Sequence, residues 1–213
     1  MADKEILIFV EGPSDKVFLE AYLYFLEDIP IKNFKVKDVT GKDNLSKRLL
    51  EIEKYDKALI IFDADKDYES NKKEILSKTQ QKITEEQIFL FPNNQDDGDL
   101  ETLLLEIAKH DEFLKCFEGY LECIKSKEHY KPIKNISKSK WYAYLEVFEL
   151  QNFFKDKRNK NDKKNEEKII IDDKGKIRKE YKEEYEKLKE VIDFNSNSLI
   201  PLKDFLGQFA ENK

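Results

Sequence analysis

The sequence predicts an α/β protein, a mainly parallel sheet flanked by helices, with a mostly helical C-terminal extension. Three observations carry that expectation. Ile6–Val10, Ala58–Phe62 and Ile88–Phe91 are runs of consecutive apolar, largely β-branched or aromatic residues, too short for helices, and they read as strands buried on both faces. Segments with apolar residues at helical spacing separate them, a pattern that over about a hundred residues implies right-handed βαβ units. From Asp111 onward the helical period takes over. The chain accordingly divides into an α/β core over 1–108 and a helical, lysine-rich lobe over 109–213 that packs on it.

The elements follow in order. After Ile6–Val10 the chain meets Glu11 and then Gly12, which permits a sharp turn. Pro13 and Ser14 open a helix with Val17, Phe18, Tyr22, Phe25 and Leu26 on one face. Asn33–Val39 alternates as a short strand, and Thr40-Gly41-Lys42-Asp43 turns into a helix capped by Asp43 or Asn44 and running through Glu53. The strand Ala58–Phe62 runs directly into Asp63, Asp65 and Asp67, so an apolar run again ends in acid. A helix over Ser70–Thr79 and the strand Ile88–Phe91 follow. Pro92-Asn93-Asn94, an acidic loop with Gly98, and a helix from near Asp99 carrying Leu100, Leu103, Leu104 and Ile107 come next. Further helices are expected over Phe113–Ile124, Ser139–Phe154, Tyr181–Ile192 and Leu199–Phe209. Lys155–Lys168 reads as an exposed loop, with a small hairpin around Ile169–Ile171 and Gly175.

Composition narrows the function classes. With 39% apolar and 12% aromatic residues the chain is globular material. It has no membrane-length apolar run and no signal-peptide profile, so a cytosolic protein with no membrane association is expected. Cys116 and Cys123, with His110 and His129 the only histidines, lack zinc-site spacing and read as reduced core cysteines. The net charge of −6 conceals a sector, Lys125–Lys164, with 12 basic and 5 acidic residues, which leaves −13 for the rest. An acidic body with one basic sector suits a metal ion in one place and a phosphate backbone in another, although such sectors are also ordinary solvated surface.

Ligands of open α/β sheets bind beyond the carboxyl ends of the strands, where this sequence puts Glu11, Asp15, Asp63 and Asp65. Two carboxylates about 4 Å apart repel by roughly 4 kcal/mol at an effective dielectric near 20, so such a cluster calls for a counter-ion. Oxygen donors without His or Cys suit Mg²⁺ or Mn²⁺. Each acid alone has a structural role to hand, as a helix cap, a dipole partner or an Asx turn. Their joint placement at two strand ends favours a metal site.

Val10-Glu11-Gly12-Pro13-Ser14-Asp15 after one strand and Phe62-Asp63-Ala64-Asp65 after another resemble the two signature motifs of the Toprim domain, a Rossmann-like fold of topoisomerases, bacterial primases and several nucleases. Phe89–Asn94 with Gly98-Asp99-Leu100-Glu101 is similar to small bacterial Toprim proteins related to the OLD (overcoming lysogenization defect) nucleases. The resemblance is specific over Ile6–Ile107. It implies that Glu11 is the motif-one glutamate, that Asp63 and Asp65 bind metal, and that Asp15 and Glu101 are the extra acids of that branch; Asp99, next to Glu101, is counted with them as a candidate metal ligand. Lys138 or Lys140 would match the branch's lysine near the scissile phosphate, although each also reads as surface lysine. OLD proteins carry an ATPase on the same chain. No phosphate-binding Gly-rich loop occurs here, Gly41-Lys42 being isolated, so an ATPase would be a separate polypeptide.

The resulting expectation is a nuclease that hydrolyses DNA or RNA with Mg²⁺ or Mn²⁺, its basic sector tracking the nucleic-acid backbone. The alternative is a non-catalytic adaptor module for a partner protein or nucleic acid. Tyr130, Trp141, Tyr142 and Tyr144 within the basic sector read as core or interface rather than as base-stacking platforms.

Overall fold

A computed structural model describes residues 6–26, 31, 34–152, 154 and 182–210. Four parallel strands, β1 (Ile6–Val10), β2 (Phe34–Asp38), β3 (Lys57–Asp63) and β4 (Ile88–Phe91), form one sheet in the order β2-β1-β3-β4. From β1 the chain steps to β2 on one side, crosses back over β1 to reach β3, and continues outward to β4. The connections therefore diverge between β1 and β3, the switch point at which open α/β sheets bind ligands.

Helices cover both faces, which is why the central strands are apolar throughout. Ile6, Ile8, Val10, Leu59, Ile61, Phe89 and Phe91 enter one core, while Leu7, Phe9, Ala58, Ile60, Phe62, Ile88 and Leu90 enter the other. The second core is closed by Leu45, by the single turn α2 (Leu49–Ile52) and by α3 (Tyr68–Lys78). The first is closed by α1 (Pro13–Phe25), α4 (Leu100–Glu106), α6 (Ile136–Val147), α7 (Lys182–Val191) and α8 (Ile200–Gly207). Trp141, Leu145, Leu188, Leu202 and Leu206 are buried in the same cluster as the strand residues, so the C-terminal helices complete the core of the sheet. Helix α5 (Asp111–Lys125) packs against α6, adding Leu114 to the edge of the same cluster and burying Leu121 as well.

Several elements differ from expectation. Residues predicted as a helix to Glu53 form a 3-10 helix, Lys42–Arg48, before α2. Thr40 and Gly41, which both take positive φ (60° and 95°), turn the chain immediately before it. Helix α6 begins and ends earlier than the predicted Ser139–Phe154. Asn135 precedes it in the left-handed region, and the chain leaves through left-handed Glu149 while the Leu150 N–H reaches back to the Leu145 carbonyl. Both cysteines are exposed rather than in the core, because α5 packs through Leu114 and Leu121 and turns the adjacent stripe outward. Trp141 and Tyr144 stack together in the core, as expected. The predicted loop Lys155–Lys168 and the hairpin around Ile169–Ile171 and Gly175 lie outside the described residues. No helix among the described residues is long and apolar enough to cross a membrane.

Candidate active site

Register brings the two acidic motifs together. Val10 pairs with Ile61, so Glu11 leaves β1 beside the end of β3, where Asp63 closes the strand opposite Phe91. Neighbouring strands lie about 4.8 Å apart. The Glu11 carboxylate is approached by the backbone amides of Lys42 and Asp63, and its Oε2 is buried without a hydrogen-bond partner. Burial pushes its pKa up, Lys42 opposes the shift and Asp65 adds to it.

Asp15 sits in the first turn of α1 and is buried. The Gly12 N–H donates to its Oδ2 at 2.7 Å, the half of a capping box that needs no side chain at the cap. Burial raises its pKa to about 7; the Gly12 N–H opposes this, and the charges of Glu11 and Glu101 reinforce it. Asp63 accepts from the Leu100 N–H at 2.8 Å and so fastens the end of β3 to the start of α4. Its pKa is also raised, by burial first and then by Asp15, with Glu11 and Glu101 contributing. Glu101, one residue into α4 and buried, is pushed up by burial and held back by Lys138, whose Nζ lies 3.7 Å from Glu101 Oε1. Burial works against the Lys138 ammonium, yet Glu101, Tyr142, Asp15 and Asp63 together outweigh it. Glu11, Asp15, Asp63, Glu101 and Lys138 therefore share one electrostatic environment built from β1, α1, β3, α4 and α6.

The other candidates stand differently. Asp65 lies at the rim, half exposed, with φ 55° fixed by a two-way backbone pairing with Gly98 (2.7 and 2.8 Å), and its Oδ2 meets Lys42 Nζ at 2.6 Å. Asp99 caps α4, its Oδ1 accepting from the Thr102 N–H and hydroxyl at 2.8 and 2.7 Å. Lys140 pairs with Glu118 of α5 at 2.5 Å, and no described contact joins it to the acids, so Lys138 is the lysine that the fold brings to them. Asp67 caps α3 through the Ser70 N–H. Asn94 accepts from the Leu90 N–H and from the Tyr68 hydroxyl, so the Pro-Asn-Asn block shapes the turn after β4.

Sequence reasoning missed Lys42. Its loop follows β2 and is drawn over the end of β1 by the Val39 and Gly41 N–H groups, which donate to Val10 and Glu11 carbonyls. A turn after a strand adjacent to β1 was the available signal. Ser14 and Tyr142 meet at 3.3 Å beside the same pocket of charge, a contact spanning 128 residues that no local pattern encodes.

Buried, mutually repelling carboxylates and an orphaned Glu11 oxygen fit a hard divalent cation in donor chemistry. Among the described residues, no three His, Cys, Asp or Glu side chains stand in a ready-made metal-binding group. No curated protein and no solved structure matches the chain. A family model described as "Protein of unknown function (DUF3226)" matches residues 5–211, and the chain belongs to that family.

Proposed function

We infer that this protein is a Mg²⁺- or Mn²⁺-dependent phosphodiesterase acting on nucleic acid, of Toprim type. The observation that carries the reading is the meeting of Glu11, Asp15, Asp63 and Glu101 at the switch point, with Lys138 facing them. Glu11 and Asp63 would hold the first cation, joined by Asp65 from the rim, while Asp15 and Glu101 would serve a second. A divalent cation bound there supplies Lewis-acid charge for the attack of water on a phosphodiester.

The chain's own groups do the rest. Lys138, half exposed at the mouth, presents a mobile point charge to the non-bridging phosphate oxygens. The lysines flanking α6 favour a polyanionic substrate, and a separate ATPase partner remains part of the reading through the family resemblance.

The test is cleavage of supercoiled, linear and single-stranded DNA and of RNA in Mn²⁺ or Mg²⁺. Glu11→Gln and Asp63→Asn are each expected to lower the rate by about a hundredfold or more. Equal cleavage by the variants overturns the assignment. Thermal stabilisation by metal without cleavage of any substrate supports the adaptor reading instead.

A further inference from the structure

Lys42 lies in a cradle of acceptors that the protein has already fixed in place. Its Nζ donates to Asp65 Oδ2 and to Asn71 Oδ1, each at 2.6 Å. Asn71 is anchored by its amide to the carbonyls of Ala64 and Asp67, so its oxygen is a stationary acceptor. Asp65 is held by its backbone pairing with Gly98. Glu11 and Glu74 also act on the ammonium electrostatically. The lysine itself is mounted differently. It opens the 3-10 helix after Thr40 and Gly41, both at positive φ, with its backbone amide on the Glu11 carboxylate, and only its four-carbon side chain, one-quarter exposed, spans from there to the acceptors.

A rigid set of oxygens holding a positive charge on a flexible stem is a cation site with a tethered occupant. We propose that Lys42 is a built-in competitor for the divalent cation: its ammonium pairs with Asp65 beside Glu11 in the metal-free protein and must leave Asp65 when the cation arrives. This rests on the metal reading above and adds a regulatory residue to it. The tether keeps Asp65 from joining Glu11 around an ion until the ion displaces it. It also frees a lysine, at the moment of loading, at the edge where a phosphate would lie.

The full-length protein, stripped of metal, is titrated with Mn²⁺ by calorimetry as wild type, Lys42→Met and Lys42→Arg. Lys42→Met is expected to bind Mn²⁺ roughly tenfold or more tightly than wild type, while Lys42→Arg, which keeps the charge, stays near wild type. The metal-free Lys42→Met variant should also melt at lower temperature, having lost the counter-ion. Independently of any variant, the Lys42 ammonium should exchange slowly with solvent in ¹⁵N-lysine NMR of the metal-free wild type and quickly once Mg²⁺ saturates the site. Mn²⁺ binding by wild type with no gain in a cooperatively melting Lys42→Met, or an ammonium still protected at saturating Mg²⁺, overturns the inference alone. Absence of Mn²⁺ binding in all three proteins overturns it together with the phosphodiesterase reading.

Discussion

Glu20 shows what a single buried charge costs when no cluster surrounds it. It is 2% exposed, its Oε2 has no partner, and Lys16 reaches only its Oε1, at 3.9 Å. Burial raises its pKa to about 8, with Lys16 opposing and Asp38 adding. Because the folded value stands above the unfolded one, folding takes up a proton between them. Stability is therefore full below the ordinary value of 4.5 and is lost as pH climbs through 8. Glu20→Gln should flatten this dependence and stabilise the protein at pH 9 on the order of 2–4 kcal/mol, read from urea unfolding at pH 5 and pH 9. A second residue-scale prediction separates capping from metal binding. Asp99→Ala should cost about 1 kcal/mol by removing the cap on α4, and Asp99→Asn should retain both stability and Mn²⁺ binding, compared by melting and calorimetry. Glu11, Asp15 and Asp63 were legible in the sequence because strand ends and the turns after them advertise themselves, whereas Glu101, inside α4, entered only through the motif resemblance. The partner of Asp65 at the rim was not legible: Lys42 and Asp65 are 23 residues apart, and only the crossing of the β2 loop over β1 brings them together.

At the scale of elements, the strands were easiest to read. β1, β3 and β4 are apolar runs because both their faces are covered, and such runs permit few alternatives. Helix ends were harder. Asn135 and Glu149 close off α6 from left-handed conformations without a glycine to signal it, and the 3-10 helix after Gly41 keeps the composition of an ordinary helix. The turn carrying Gly98 is the opposite case, since its glycine is required. Its φ is +146°, and an added Cβ would stand 3.0 Å from Pro92 Cδ and 3.3 Å from Thr102 Oγ1. Gly98→Ala should destabilise the fold by about 1–3 kcal/mol and loosen the pairing that presents Asp65. Urea unfolding measures the first effect, and Mn²⁺ calorimetry, showing weaker binding, the second.

Across the whole molecule, the expected division at residue 108 marks a change of pattern more than a boundary in the core. The apolar face formed by Ile8, Val10, Ile61, Phe89 and Phe91 is closed by Trp141, Leu145, Leu188, Leu202 and Leu206. At roughly 1.5–3 kcal/mol for each buried large apolar side chain, these five contribute as much as the 5–15 kcal/mol by which a typical domain is stable. A fragment covering 1–108 should therefore fail to melt cooperatively and should bind a hydrophobic dye, whereas the full chain should unfold in one transition by circular dichroism. That dependence was invisible in the composition, where the lysine-rich character of the second half masks the apolar stripe of each helix. One more consequence follows from how α4 is fastened at its two ends. Asp63 grips its first turn through the Leu100 N–H, and at the far end the Ile107 carbonyl accepts the Asp193 N–H while the Lys109 N–H donates to Val191. Seven helical residues span about 10 Å, so α4 is a short strut between the candidate catalytic carboxylate and the C-terminal segment. Whatever stiffens Asp63 should be felt at the other end of the strut, as slower deuterium uptake at the amides of Lys109 and Asp193.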